Sequence, residues 1–316
     1  MDGKYFIFDM DETLAELYSV YYFIATLRLS NISSDDIVNI PNSLYNSLNR
    51  GYKKFVREIL REEISNKLGI LRPGVLNVMM KLSELQKIGK IKNVIIYSNN
   101  GHLESLEFIR DLIHKYVNNN ELIKECIHWN HPMRGNEVLG QVGATNKTWG
   151  VLRNILIKGN CKASNKIEPS NIYFFDDLDH TDLKINLGEN YYQVPGYSFK
   201  SSFNRIANIF RKSLIDMKLN DTYILNDMII KVFGDYSNFE NINEDGIDNI
   251  IKIFSMKTKN TVNNNVLPPS GQDKGIDMMY DAINKINMSN GGKRNKNSTK
   301  KRREKKYSMK TLKIKN

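Results

Sequence analysis

The run Tyr5-Phe6-Ile7-Phe8, passing at once into Asp9-Met10-Asp11-Glu12-Thr13, constrains this chain more than any other stretch. Four apolar residues without polar alternation read as a strand buried on both faces, the habit of a parallel sheet. Such strands end at the carboxyl edge of an open α/β sheet, where ligands bind. Asp9 and Asp11 are therefore expected together in a crevice, and two carboxylates there repel unless a cation or a shared proton relieves them. A hard divalent ion such as Mg²⁺ meets that need, since it takes one or two carboxylates together with waters and substrate oxygens.

The pattern repeats down the chain. Asn93–Tyr97 reads as a second strand, ending at Ser98-Asn99. Cys126–Trp129 reads as a third, and Asn171–Phe175 as a fourth that runs into Asp176-Asp177. Tyr191–Val194 reads as a last short one. Helical spacing lies between them, over Val75–Leu85, Leu103–Val117 and Lys147–Ile157. Strands alternating with helices predict an α/β fold with a Rossmann-like parallel sheet flanked by helices. Residues 1–14 and 72–198 form the expected core. Residues 15–71 form a mostly helical, cap-like insertion over the crevice, with Ser34 or Asp35 as an N-cap. Gly51–Leu68 is its second helix, with Phe55, Ile59, Leu60 and Ile64 on one side. Residues 199–256 read as a helical extension, 257–288 as a linker with one short helix, and 289–316 as a disordered basic tail.

The charge is as uneven as the pattern. The formal net charge is +11, but residues 289–316 hold twelve Lys/Arg and one Glu, which accounts for all of it. Residues 1–288 are formally neutral, so basic character belongs to the tail. Its density predicts salt-sensitive attraction to nucleic acid, and Lys300–Lys306 has the look of a nuclear localisation cluster. Two cysteines, Cys126 and Cys161, make no disulfide framework, which predicts a reducing intracellular compartment, cytoplasm or nucleus. No secretory signal is expected, and no apolar run approaches the roughly 18 residues of a membrane span. Nothing in the sequence speaks to oligomeric state.

Asp9-Met10-Asp11-Glu12-Thr13, Ser98 and Asp176-Asp177 at the ends of expected strands, with Lys147 starting the helix before the last of these, resemble the four motifs of the haloacid dehalogenase (HAD) superfamily of phosphotransferases. Within it, Asp9–Leu14 and Leu71-Arg72-Pro73-Gly74-Val75 resemble the branch of RNA polymerase C-terminal-domain phosphatases and the NLI-interacting-factor-like phosphatases. The insertion after Leu14 is longer than that branch leads one to expect, and the Lys147-to-Asp176 spacing is stretched. The Asn- and Lys-rich composition and the Gly291-Gly292-then-basic ending resemble proteins of large DNA viruses, which would add a host cell or a virion to the expected locations.

The resemblance implies a Mg²⁺-dependent phosphatase acting through an aspartyl-phosphate. Asp9 would be the nucleophile and Asp11 the general acid/base. Ser98, Asn99 and Lys147 would bind phosphate, and Thr13 would brace the loop. Asp9, Asp11 (through its backbone carbonyl), Asp176 and Asp177 would hold the metal. The expected substrate is a phosphoprotein carrying phosphoserine or phosphothreonine. A nucleotide, a polynucleotide 3′-end or a small metabolite stands as the alternative phosphomonoester, and a nucleic-acid-tethered, non-catalytic scaffold as the alternative function. Other polar residues read more plainly. Asp179 and Asp182 are expected as loop or cap acids and Arg134 as a loop charge. Tyr18–Ile24 is expected as packing. His128, His131 and His180 have no zinc spacing.

Overall fold

The computed structural model describes residues 3–29, 42–65, 67–134, 147–159, 167–199, 201–215, 247–258 and 273–289. Ser34, Asp35, Cys161 and the basic tail beyond Ser289 lie outside them. Five strands form one sheet: β1 (Lys4–Phe8), β2 (Ile91–Tyr97), β3 (Ile123–Ile127), β4 (Ile172–Asp176) and β5 (Tyr191–Gln193). Their order is β3-β2-β1-β4-β5 and every neighbouring pair is parallel. The chain winds outward from β1 in both directions, so the carboxyl ends of β1 and β4 flank the point where the winding reverses.

Both faces of the sheet are covered, which is why β1 shows no polar alternation. Phe6 and Phe8 point into one core with Tyr173 and Phe175, whereas Tyr5 and Ile7 point into a second with Phe174 and Tyr97. On the larger side the rings lie over one another across strands: Phe6 on Tyr173 at 5.0 Å, Phe8 on Phe175 at 4.8 Å, Phe175 on Tyr192 at 4.8 Å. Helices α5 (Trp149–Lys158) and α6 (Thr181–Leu187) cover the smaller face through Leu152, Ile155, Leu156, Leu183 and Leu187.

The larger face takes everything else. It carries α1 (Tyr21–Arg28), α2 (Asn42–Ile64), α3 (Val75–Lys87), α4 (Leu103–Val117), α7 (Phe203–Ile215), α8 (Ile247–Thr258) and α9 (Lys274–Ser289). Phe23 of α1 sits among Phe55 of α2 at 6.4 Å, Phe210 of α7 at 4.9 Å and Phe254 of α8 at 5.1 Å. The described part of the insertion thus shares the sheet's main core, because its apolar stripe and those of α7 and α8 can be hidden only against one another. Gly51 does not start a helix; it is buried inside α2, and Ile64, expected on the apolar side, is 56% exposed at its end. The stretch read as a linker with a short helix contains α9, a 16-residue helix whose Ile276, Met279, Ala282, Ile283 and Ile286 belong to the same core. Among the described residues, no helix is long and apolar enough to cross a membrane.

One buried acid closes the end of the insertion. Glu63 accepts hydrogen bonds from the amides of Ile70 at 2.8 Å and Leu71 at 3.2 Å, pinning the turn that leads back to the core. Burial pushes its pKa up to about 7, against the pull of those amides. A raised carboxyl pKa means the folded state holds the proton more tightly than the unfolded chain. That contribution is complete below the unfolded value near 4.5 and is lost as pH rises through about 7. Stability in urea is therefore expected to fall from pH 5 to pH 7.5 by up to roughly 3 kcal/mol from this residue. Glu63→Gln should flatten that slope, and an unaltered slope would reject the assignment.

Candidate active site

The site is assembled where three strands end. Asp9 follows β1, held by its amide on the Phe175 carbonyl at 2.8 Å. Ser98 follows β2, with its amide on the Ile127 carbonyl at 2.8 Å. Asp176 is the last residue of β4 and is fully buried. Between Asp9 and Ala15 the backbone folds on itself: Thr13 N–H donates to the Asp11 carbonyl at 2.6 Å, and Leu14 and Ala15 donate to the Met10 carbonyl at 2.9 and 3.0 Å. Glu12 takes a positive φ of 55° to make the turn.

Lys147 joins the halves. It does not start α5, as its spacing suggested. Thr148 caps that helix, its side chain accepting from the Val151 amide at 3.4 Å. A cap there satisfies a free helical N–H and leaves the preceding residue in extended chain. From that position Lys147, 1% exposed, donates to Asp9 Oδ1 at 2.5 Å and to Asp176 Oδ2 at 2.6 Å. The rings of Tyr97 and Phe174 wall the ammonium at 5.5 and 5.8 Å. Burial opposes that charge, but Asp9 and Asp176 outweigh it and keep the lysine's pKa above its usual value.

The carboxylates divide by their surroundings. Burial pushes Asp9 up to about 7; Lys147 pulls it back, and the Asp176 charge adds to the rise. Burial also works against the Asp176 carboxylate, but Lys147 and His180 override it and hold its pKa below the usual range. Asp11 is raised by burial, against hydrogen bonds from Asn100 and Ser98. Asp177 is raised by burial and by its neighbour Asp176. Three of the four acids thus hold a proton more tightly than a free carboxyl, and Asp176 less tightly.

Asp9, Asp176 and Asp177 each offer a carboxylate oxygen within 4.8 Å of the others. An all-oxygen, net-negative donor set of this kind suits a hard divalent ion. The Asp11 side chain is outside the trio. It accepts from Ser98 Oγ at 3.3 Å and from Asn100 Nδ2 at 3.2 Å, and its carbonyl, the atom expected on the metal, receives the Thr13 amide. Thr13 Oγ1 donates to Asp177 Oδ1 at 3.3 Å, tying the first loop to the fourth strand.

The Asn99 side chain is engaged within the protein. Its Oδ1 accepts from Arg134 Nη2 at 2.7 Å, and that orientation is fixed because a guanidinium only donates. The side-chain amide that reaches Asp11 belongs to Asn100, which the sequence had not singled out. Arg134 is not a loop charge. It is 2% exposed, donates to the Ser98 carbonyl at 3.0 Å, and lies against the rings of Tyr97 at 4.8 Å and Trp129 at 5.2 Å. It supports the Ser98–Asn99 turn from beneath.

His180 also has a place, though not on zinc. Its Nδ1 accepts the Lys147 amide at 3.2 Å, so its proton sits on Nε2, 3.2 Å from Asp176 Oδ2. Its position four residues after Asp176 was the available signal. Asp182 accepts the Trp149 amide at 2.6 Å at the start of α5, and Asp179 pairs with Lys184 at 2.7 Å on the surface. Tyr21 of α1 donates to or accepts from His102 Nδ1 at 3.0 Å, which brings one end of the insertion to the loop that follows Ser98. Comparison with protein-family models, curated proteins and solved structures finds no match to this chain.

Proposed function

We propose that this protein is a Mg²⁺-dependent phosphatase of the HAD type, hydrolysing phosphomonoesters through an aspartyl-phosphate on Asp9. The observation that supports it most is the Lys147 bridge: one buried ammonium, at 2.5 and 2.6 Å, spans the carboxylates at the ends of β1 and β4. A buried cation shared by two carboxylates, beside two more acids with raised pKa values at a sheet's carboxyl edge, is the kind of arrangement that functional sites use.

Roles follow from position. Mg²⁺ on Asp9, Asp176 and Asp177 would supply charge screening for an approaching phosphate dianion. An Asp9 oxygen forms a bond to phosphorus while the phosphorus–oxygen ester bond breaks. Asp11, whose pKa burial raises in the direction a general acid needs, passes its proton to the departing oxygen. Water then attacks the phosphorus, Asp11 takes the water's proton, and the bond to Asp9 breaks to release inorganic phosphate. Lys147 keeps Asp9 aimed and ionised, and Ser98 and Asn100 hold Asp11 between the two steps. His180 orients Asp176. The resemblance around Arg72-Pro73-Gly74 favours phosphoserine or phosphothreonine in a protein segment as the substrate.

The test is a panel of para-nitrophenyl phosphate, phosphoserine and phosphothreonine peptides, nucleotides and 3′-phosphorylated oligonucleotides. Mg²⁺-dependent phosphate release, stopped by a chelator and fastest on the phosphopeptides, is the expected result. Preference for nucleotides or oligonucleotides would move the reading to the alternative substrate class. Folded protein that releases phosphate from none of them would overturn the enzyme reading and favour a scaffold.

A further inference from the structure

Arg72 is the largest fully buried side chain of the described residues, 2% exposed, and its hydrogen bonds go to backbone carbonyls rather than to the four carboxylates. Its three nitrogens go to three different segments. Nη1 donates to the Thr13 carbonyl at 3.0 Å, Nη2 to the Pro195 carbonyl, and Nε lies 3.2 Å from Asp273 Oδ2. Its backbone amide donates to the Leu14 carbonyl at 2.9 Å. Asp273 in turn caps α9, its other oxygen accepting the amides of Gly275 at 2.8 Å and Ile276 at 3.2 Å.

The contact is fitted from both sides. A Cβ at Gly275 would lie 2.6 Å from Arg72 Nη1. Gly74, at φ +98°, faces Ile276, where a Cβ would stand 3.2 Å from Cγ2. Tyr197 closes the top: its ring covers the guanidinium at 5.7 Å, and its amide donates to the Glu12 carbonyl at 2.7 Å.

We infer that Asp273, at the cap of the C-terminal helix, is a positioning residue for the Asp9–Thr13 loop, acting through Arg72 on the Thr13 carbonyl. This rests on the proposed activity for its kinetic consequence but not for its geometry. A guanidinium is planar and rigid, so the charge of Asp273, 3.2 Å from Nε but not in hydrogen-bond alignment with it, together with the Pro195 carbonyl on Nη2, sets where Nη1 meets Thr13. Thr13 in turn binds both Asp11, through its amide, and Asp177, through its hydroxyl. Helix α9, distant in sequence, is thereby part of the catalytic unit.

The test compares full-length wild type with Asp273→Ala, Asp273→Asn and Gly275→Ala by hydrogen exchange and by kinetics on para-nitrophenyl phosphate. The amides of Thr13, Leu14 and Ala15 are hydrogen-bonded now and should exchange faster in Asp273→Ala, with amides of the central sheet strands unchanged. Turnover should fall about 10- to 100-fold in kcat with KM little altered, as expected when reacting groups are displaced by a fraction of an ångström to 1 Å. Asp273→Asn, whose one carbonyl oxygen can keep the cap while its amide nitrogen would face Arg72 Nε, separates the two roles and should lose exchange protection at residues 13–15 as Asp273→Ala does; Gly275→Ala should mimic both. Should Asp273→Ala fail to fold, Gly275→Ala carries the comparison. Unchanged exchange at residues 13–15 in a folded variant overturns the brace. Faster exchange with unchanged kcat overturns the positioning role. Wild type without turnover would reject the phosphatase reading instead, and the exchange result would still decide the brace.

Discussion

If the protein is the proposed phosphatase, Asp9→Asn is expected to remove phosphate release, lowering kcat by at least about 10⁴-fold, because that reading makes Asp9 the group that bonds phosphorus. The fold should survive. Burial raises the Asp9 pKa to about 7, so the carboxylate sits in a place that disfavours its charge. An amide of the same shape avoids that cost, and Lys147 keeps Asp176 as its partner at 2.6 Å. The variant's melting temperature should equal or exceed that of wild type, the usual trade where a catalytic charge is held against its own solvation. Thermal unfolding and a phosphate-release assay on one preparation check both halves. Residual turnover within tenfold of wild type would remove Asp9 as nucleophile, and a collapse in melting temperature would mean that the carboxylate is structural.

Lys147→Met should have the largest effect on stability. Removing the buried ammonium that both carboxylates share leaves Asp9 and Asp176 without their common partner, which costs about 3–5 kcal/mol when a buried pair is broken from one side. Activity should vanish too, since Asp9 then shifts further toward its protonated form. The stability loss has a diagnostic remedy. A divalent ion that binds the folded site stabilises it by mass action. Millimolar Mg²⁺ or Mn²⁺ should therefore recover part of the deficit in Lys147→Met and add less to wild type. Urea titrations with and without the ion measure this. A deficit under about 1 kcal/mol, or one indifferent to both ions, would show the bridge to be an ordinary surface-type pair.

Some of this was legible in the chain because the signal is local. Tyr5–Phe8, Asn93–Tyr97 and Asn171–Phe175 are short apolar runs that stop at polar residues, and β1, β2 and β4 lie over them. A buried parallel strand must be apolar throughout, and the residue after it must tolerate the crevice. Other features were not legible, because they depend on partners distant in sequence. Arg134 looked like a loop charge until the fold slid it beneath Ser98 and between Tyr97 and Trp129. Asn99 and Asn100 are indistinguishable by type, and only the turn decides which one meets Asp11. Residues 274–289 have an ordinary amphipathic pattern that says a face will be buried but not against what.

From the sequence alone came the parallel sheet and the strand ends that carry acids, and the resemblance to a known family added the expectation that Ser98 and Lys147 join Asp9, Asp11, Asp176 and Asp177 in one crevice. Hydrophobic periodicity and strand polarity are properties of a few consecutive residues, so they survive without a structure. The tertiary structure alone decided that Lys147 spans Asp9 and Asp176, that Asn100 rather than Asn99 reaches Asp11, and that the insertion and α9 share the sheet's core. Those outcomes rest on distances between segments far apart in the chain. Such distances are set by how all the apolar faces pack at once, which no local stretch encodes.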